Sequence, residues 1–580
     1  MVDQAVAPGA LSRLETHAAP ARERVEHMWW RSAVIYEVYI RSFADGNGDG
    51  IGDLAGVRSR LPYLRDLGVD AIWFSPWYRS PQADGGYDVA DYRAIDPLFG
   101  NLSEAEQLIA EARAFGIRTI VDVVPNHVST QHAWFKAALK AAPGSPERAR
   151  FWFRPGRGPN GDQMPTNWPS NFAGPTWTRT TNADGTPGEW YLHLFSPEQP
   201  DLNWDNPDVR REHERILAFW FDRGVAGIRI DSAALLVKDP ALPELPDHPL
   251  PGRHPNTDRD ELHDIYRSWR ALADSYPEPR ILVGEIWLPD TDRFVAYLRP
   301  DELHTAFNFE FMAAPWDARE LRGSIDRTLA AHAIVGAPAT WVLSNHDVTR
   351  PVTRYGREDS SFSFVAKRHG TPTDLATGRR RARSAALLSA ALPGSLYVYQ
   401  GDELGLDEVA DLPVDRLRDP MYFRSGGTDP GRDGCRVPLP WSGDSAPFGF
   451  GPAGSDEPWL PQPAAWSALT AERQAGDPDS MLNLYRSALR LRRTLPDLGD
   501  GRLCWLEAPV GVMAFARSEG FAVMTNASLE AVPLPPGAQL LLASDEIEDG
   551  RLPVDATAWF RPAGAGPPGI EDNLPSREVP

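Results

Sequence analysis

Cysteine is almost absent: only Cys435 and Cys504 occur, too few for a disulfide framework and compatible with a reducing compartment. Lysine is nearly as scarce, confined to Lys136, Lys140, Lys238 and Lys367, which leaves Schiff-base chemistry few places to start. Positive charge as a whole runs short. With 59 basic against 80 acidic residues the net charge is −21, which repels phosphate backbones and anionic headgroups and argues against nucleic-acid and membrane partners. The first thirty residues lack the continuous apolar run of a secretory signal, and no stretch of about 18 apolar residues follows. The expectation is a soluble, acidic, cytoplasmic protein, of an oligomeric state that the sequence leaves open.

What the chain does have is 580 residues, room for a large core or several domains, and 20 tryptophans. So many large rings in a polar, acidic chain suit a cleft that stacks aromatic faces on a neutral ligand such as a sugar. Short β-branched or aromatic runs alternate with longer amphipathic stretches such as Glu104 to Phe115 and Asp208 to Arg223. Eight such runs can be read as strands: Val34 to Tyr39, Ala71 to Phe74, Thr119 to Val123, Gly227 to Ile230, Ile281 to Val283, His304 to Phe309, Thr340 to Leu343 and Ser395 to Tyr399. This alternation predicts the α/β class, a closed (β/α)8 TIM barrel.

About a hundred residues separate the third and fourth strands, far more than a βα loop needs, and predict an insertion subdomain over residues 128–200. The barrel then takes residues 31–127 and 201–495, after an N-terminal extension of residues 1–30. From residue 496 short apolar runs (Val512 to Ala516, Phe521 to Thr525, Gln539 to Ala543) predict a C-terminal antiparallel β-sandwich, with a disordered tail from Pro562.

Reactive groups of such a barrel sit at the carboxyl ends of its strands. Strand three ends in Asp122-Val-Val-Pro-Asn-His127, strand four in Gly227-Ile-Arg229-Ile-Asp231, strand five in Gly284-Glu285-Ile-Trp287 and strand seven in Ser344-Asn345-His346-Asp347. A lone strand-end Asp is most often a helix cap, but four polar ends on one face converge. Among these ends Asp231 and Glu285 bring two carboxyls to one mouth. Arg229, two residues before Asp231 on the same face, is expected to lower the Asp231 pKa. Ile286 and Trp287 are expected to shield Glu285 from water.

These four segments resemble the signature regions of glycoside hydrolase family 13, the α-amylase superfamily, in the same order. Tyr36-Glu-Val-Tyr-Ile-Arg-Ser-Phe43, Gly86-Tyr-Asp88-Val-Ala-Asp-Tyr92 and Gln199-Pro-Asp-Leu-Asn203 resemble its α-glucosidase and oligo-1,6-glucosidase branch. The resemblance implies a retaining exo-α-glucosidase acting on short oligosaccharides, with Asp231 as nucleophile, Glu285 as acid/base and Asp347 steadying the oxocarbenium-like charge. It also implies His127 and His346 as hydroxyl contacts, Tyr87 and Phe172 as sugar-facing rings, and Asp88 with Arg436 as a clamp on the non-reducing end. Ser232, where strict α-1,6 enzymes of the branch carry Val, points to α-1,4 linkages, although Asp347-Val-Thr-Arg350 departs from the branch's common pattern. The Arg-Leu-Asp-Arg-Asp loop of sucrose isomerases does not occur.

Asp45, Asn47, Asp49, Ile51 and Asp53 place oxygen donors at every second residue of a glycine-rich turn, as a hard cation requires. The twelfth position is Gly56 and not Glu, so an EF-hand sensor is excluded, and a structural Ca2+, with Mg2+ as alternative, is expected. An Asx-turn loop without metal is the competing reading. Gly449-Phe-Gly451-Pro-Ala-Gly454 matches a dinucleotide-loop pattern, but no strand precedes it. Two rivals remain: a transglucosylase using the same covalent intermediate, and a non-catalytic barrel of the kind that serves amino-acid transporters, which would have lost these carboxylates and would carry a membrane helix.

Overall fold

The computed structural model describes residues 28–364, 366 and 369–564. Most of the N-terminal extension, Lys367, and the tail from residue 565 lie outside the described residues. Eight parallel strands form one sheet: β1 (Val34–Val38), β2 (Ala71–Phe74), β3 (Arg118–Val123), β4 (Gly227–Ile230), β5 (Ile281–Gly284), β6 (Thr305–Ala306), β7 (Thr340–Val342) and β8 (Ser395–Tyr399). Their order is β6-β5-β4-β3-β2-β1-β8-β7, sequential around a barrel. Between β6 and β7 the Thr340 hydroxyl donates to the Ala306 carbonyl, a side-chain bond at the seam where no ladder is drawn.

The strands are buried on both faces, which is why they read as unbroken apolar runs. Their alternation still sorts the side chains. Tyr36, Ile72, Val121 and Ile228 point outward to the helix layer, whereas Ile35, Trp73, Ile120, Val283, Val342 and Tyr397 fill the barrel interior. One pleat further along the inward series come Glu37, Asp122 and Arg229. Asp122 and Arg229 are register partners, so an acid and a base are delivered side by side at the barrel mouth.

β6 is shorter than the sequence predicts. The phenylalanine-rich segment after it reads as strand, yet the Asn308 side chain accepts from the Phe311 N–H and starts a short helix, Phe309–Ala313. The helix before β3, Leu102–Ala114, begins at a full capping box, with Asn101 and Glu104 exchanging side-chain bonds to each other's backbone.

The insertion carries a three-stranded antiparallel sheet (Phe153–Arg154, Trp177–Thr181, Pro187–Leu192) over a core of Trp152, Trp168, Trp177 and Leu192. After the barrel, a five-stranded antiparallel sheet holds the three expected strands and two more, Cys504–Trp505 and Ala556–Arg561. A two-stranded sheet, Val532–Pro533 with Arg551–Leu552, shares its apolar core. This domain docks on the barrel helix Leu375–Ala391, where Trp559 Nε1 donates to the Leu387 carbonyl at 3.1 Å.

Thr340→Val keeps the shape at the seam but leaves the Ala306 carbonyl without its donor in a buried site. The expected cost is about 1–3 kcal/mol, read as a lowered melting temperature. An unchanged melting temperature would show that the seam does not depend on this bond.

Candidate active site

A cavity of about 500 Å³ opens at the carboxyl ends of the strands, within the range of small-molecule sites. Asp231, Glu285 and Asp347 line it, together with Tyr87, His127, Phe172, Ser232, Trp287, Asp84 and Arg432. Of the residues expected from sequence, these carboxylates and Tyr87, His127 and Phe172 therefore come together in one pocket.

At its floor lies Arg229, 1 % exposed. Its Nη1 reaches Asp231 Oδ1 at 2.8 Å and both oxygens of Asp122 at 2.9 and 2.8 Å, while Nη2 reaches Glu285 Oε2 at 2.7 Å. One guanidinium thus ties Asp231 and Glu285 within its own span. Glu285 is also held by the Ser232 N–H at 2.9 Å and by Trp287 Nε1 at 3.1 Å, so Trp287 orients this carboxyl as well as shielding it. Ser232 takes φ +46° to present that N–H.

Burial, followed by the Glu285 charge, pushes the Asp231 carboxyl well above its ordinary range, and Arg229 only partly opposes this. The expectation of a lowered Asp231 counted the arginine alone. Burial likewise raises Asp122 to about 7 against the pull of Arg229.

Asp347 is the opposite case. Burial opposes its ionisation, but His346, Arg432, Arg436 and Arg229 outweigh it and hold the carboxyl well below the usual range. Arg432 Nη1 and Arg436 Nη2 stand 3.0 and 2.8 Å from Asp347 Oδ1. His346 does not line the cavity. It lies behind Asp347, its Nε2 3.4 Å from Asp347 Oδ2 and its Nδ1 on Glu37. His127 does line the cavity, but its Nδ1 faces Asn126 at 3.1 Å and its Nε2 the Tyr87 carbonyl at 3.1 Å. Burial lowers its pKa to about 4, so it is neutral at pH 7.

The expected clamp of Asp88 with Arg436 is corrected by the structure. Asp88 is fully buried and spends one oxygen on Ser80 Oγ at 2.8 Å and the Asp84 N–H at 3.1 Å, bracing the loop from beneath. The acid that reaches the cavity is Asp84, carried on a turn in which Gly85 and Gly86 take φ +57° and +105°, values open to glycine. Its partner is Arg432, at 2.6 Å. Arg432 is in turn anchored by Asp419, also at 2.6 Å, and lies 4.9 Å over the Phe172 ring. Arg436, one turn further along, packs against Asp347 and the His346 carbonyl instead. Gln199 Nε2 donates to Asp84 Oδ2 at 3.1 Å and fixes this end of the pocket.

In the glycine-rich loop, Asp45 Oδ1 accepts from the Asn47 and Gly48 amides at 3.0 and 2.6 Å, and Asp53 Oδ1 from those of Gly46 and Gly56 at 3.1 and 2.6 Å. Asn47 and Asp49 cap the amides two residues on, both at 2.9 Å, the second of them that of Ile51. The donors are all hard oxygens, as Ca2+ or Mg2+ favours. Among the described residues, however, no three His, Cys, Asp or Glu side chains are grouped as a metal would hold them. Burial, with the Asp45 charge adding to it, raises the Asp53 carboxyl. The segment Gly449 to Gly454 forms no strand–helix turn but packs here, its Phe450 carbonyl accepting from the Asp45 N–H at 2.9 Å.

The family model of the α-amylase catalytic domain matches residues 37–501. An oligo-1,6-glucosidase of Heyndrickxia coagulans is 34% identical over 514 residues, covering 82% of this chain and 87% of the relative. A probable α-glucosidase of Rhizobium meliloti (strain 1021) is 35% identical over 516 residues, 85% of this chain and 87% of the relative. Among solved structures, the α-glucosyl transfer enzyme XgtA superposes with a TM-score of 0.79 at 33% identity, covering 92% of this chain and 99% of that one. The matching catalytic domain and the carboxylates gathered at the mouth of its barrel agree: the chain belongs to the α-amylase family of glycoside hydrolases, in its α-glucosidase branch.

Proposed function

We propose that this glycoside hydrolase removes single glucosyl units from the non-reducing ends of short α-glucosides by double displacement, with α-1,4 linkages favoured. The observation that carries the reading is Arg229 bound to both Asp231 and Glu285 at the bottom of a pocket whose far end is shut by the Asp84–Arg432 pair. A pocket closed there admits a chain end and not a chain middle. The smallness of Ser232 beside the nucleophile supports the linkage preference.

In the first step an Asp231 oxygen bonds to the anomeric carbon as the glycosidic C–O bond breaks, and the proton of Glu285 passes to the leaving oxygen. With that proton on Glu285 the main electrostatic push on Asp231 is gone, and Arg229 at 2.8 Å stabilises the ionised nucleophile. In the second step Glu285 takes a proton from water, whose oxygen displaces Asp231 from the anomeric carbon. Asp347, kept ionised by two arginines, faces the positive charge that develops on the ring in both steps.

A second reading is supported by the likeness to XgtA, an α-glucosyl transfer enzyme. A sugar hydroxyl in place of water would intercept the same intermediate, and the wall of Trp287, Phe364 and Met421 beside Glu285 offers an acceptor an apolar face. We assign a structural Ca2+, with Mg2+ as the alternative, to Asp45, Asn47, Asp49, Asp53 and the Ile51 carbonyl on the strength of the alternating donors. Placement in the cytoplasm is supported by the free thiols of Cys435 and Cys504. No helix among the described residues is long and apolar enough to cross a membrane.

Asp231→Asn should cut nitrophenol release from an aryl α-glucoside by about a thousandfold or more while the protein stays folded, because a buried carboxyl is exchanged for its neutral isostere. Retained activity would reject the nucleophile assignment. Removal of divalent cations by chelation should lower the melting temperature more than it lowers turnover at moderate temperature. A chelator that abolished turnover without loosening the fold would move the ion into the reaction, and one that changed neither would favour the metal-free loop.

A further inference from the structure

Glu37 stands on the inward face of β1, 2 % exposed, with Oε1 against His346 Nδ1. The His346 ring is clasped between Tyr39 and Tyr87, with centroids at 5.5 and 5.2 Å and interplanar angles of 18° and 11°. Trp73 closes a third side at 6.0 Å. The clasp holds the imidazole in its plane, one nitrogen on Glu37 and the other, Nε2, 3.4 Å from Asp347 Oδ2.

A neutral imidazole carries one N–H. Asp347 is ionised under Arg432 and Arg436, and a bare Nε2 would set a lone pair against that anion, so the proton belongs on Nε2. Nδ1 is then an acceptor. A carboxylate at Glu37 would oppose a second lone pair at hydrogen-bonding distance, whereas a carboxylic acid completes the contact.

We propose that Glu37 is a positioning residue working as a neutral acid: its O–H donates to His346 Nδ1 and fixes the Nε2–H tautomer that faces and steadies Asp347. The surroundings favour this arrangement. Burial is the largest influence on Glu37, and the neighbouring acids Asp347 (after β7) and Asp122 (β3) add to it. Arg229 (β4) and the backbone N–H of His346 oppose it, and the net effect raises the Glu37 carboxyl well above its ordinary range. The Tyr399 hydroxyl on β8 is a further titratable neighbour, itself raised by burial. Burial, with Arg436, Arg229 and Arg432 adding and Asp347 opposing, drives His346 well below its ordinary value, which disfavours an imidazolium–carboxylate pair. Glu37 touches no substrate on this reading; it acts through His346 on Asp347.

Only the kinetic arm of the test rests on the proposed glucosidase reaction. The other arm is the histidine 15N spectrum of the unaltered protein, with His346 assigned by its loss in His346→Gln. At neutral pH it should show a protonated Nε2 and a bare, hydrogen-bonded Nδ1. Two protonated nitrogens, or the proton on Nδ1, would overturn the proposal whatever the substrate proves to be. On an aryl α-glucoside, Glu37→Leu should lower kcat roughly ten- to a hundredfold, the effect of an unmet buried acceptor, with KM moving far less. Glu37→Gln, whose amide N–H also donates, should restore most of that loss. Equal losses in the two variants would contradict the proposal. Should Glu37→Leu not fold, the spectrum and the folded Glu37→Gln decide alone, a tenfold or greater loss in the latter counting against it.

Discussion

The Arg229 guanidinium is the contact on which the site depends. It sits in the barrel interior where Ile35, Ile120 and Val283 close off water below it, and it meets carboxylates from three consecutive strands or strand ends: Asp122, Asp231 and Glu285. Burying that many acids without a cation would neutralise them. With one cation among them, the proposed acid can hold a proton while the proposed nucleophile stays charged. Both roles proposed for Glu285 and Asp231 then rest on one residue's position in the β pleat.

A second electrostatic layer sits above the first. Arg432 pairs with Asp84, Asp347 and Asp419 at once, so the contact that seals the far end of the pocket is the contact that keeps Asp347 ionised. Asp419, whose carboxyl is brought down to about 2 by Arg432 and Arg436 in spite of burial, is the anchor. Shape selection and charge stabilisation are therefore coupled: an arginine displaced to open the pocket would also leave Asp347 less firmly charged.

Much of this was legible in the sequence because barrel chemistry is local in one respect: the reactive groups lie at strand ends, and strand ends are marked by apolar runs closing in Asp231, Glu285 and Asp347. The architecture and the identity of the three carboxylates followed from that pattern and the resemblance it carried. What sequence could not supply was direction through space. Asp84 and Asp88 share one short loop, and Arg432 and Arg436 one turn, and nothing in their spacing says which member faces the cavity. Glycine φ values decide the first and the anchor on Asp419 the second. The partner of His346 is 309 positions away at Glu37, beyond any local pattern. The raised Asp231 carboxyl comes first from burial and then from the Glu285 charge, and only the closed barrel creates both. The strand expected over His304 to Phe309 was cut short by a cap at Asn308, a local signal outvoted by the phenylalanines around it.

The account turns on Asp231 forming a covalent bond to the sugar within reach of Glu285, and the stereochemistry of the first product reports on it directly. Proton NMR of a freshly started hydrolysis, read before mutarotation scrambles the anomers, should show α-glucose appearing first from an α-glucoside. β-Glucose appearing first would mean a single displacement by water, and the paired roles assigned to Asp231 and Glu285 would be wrong.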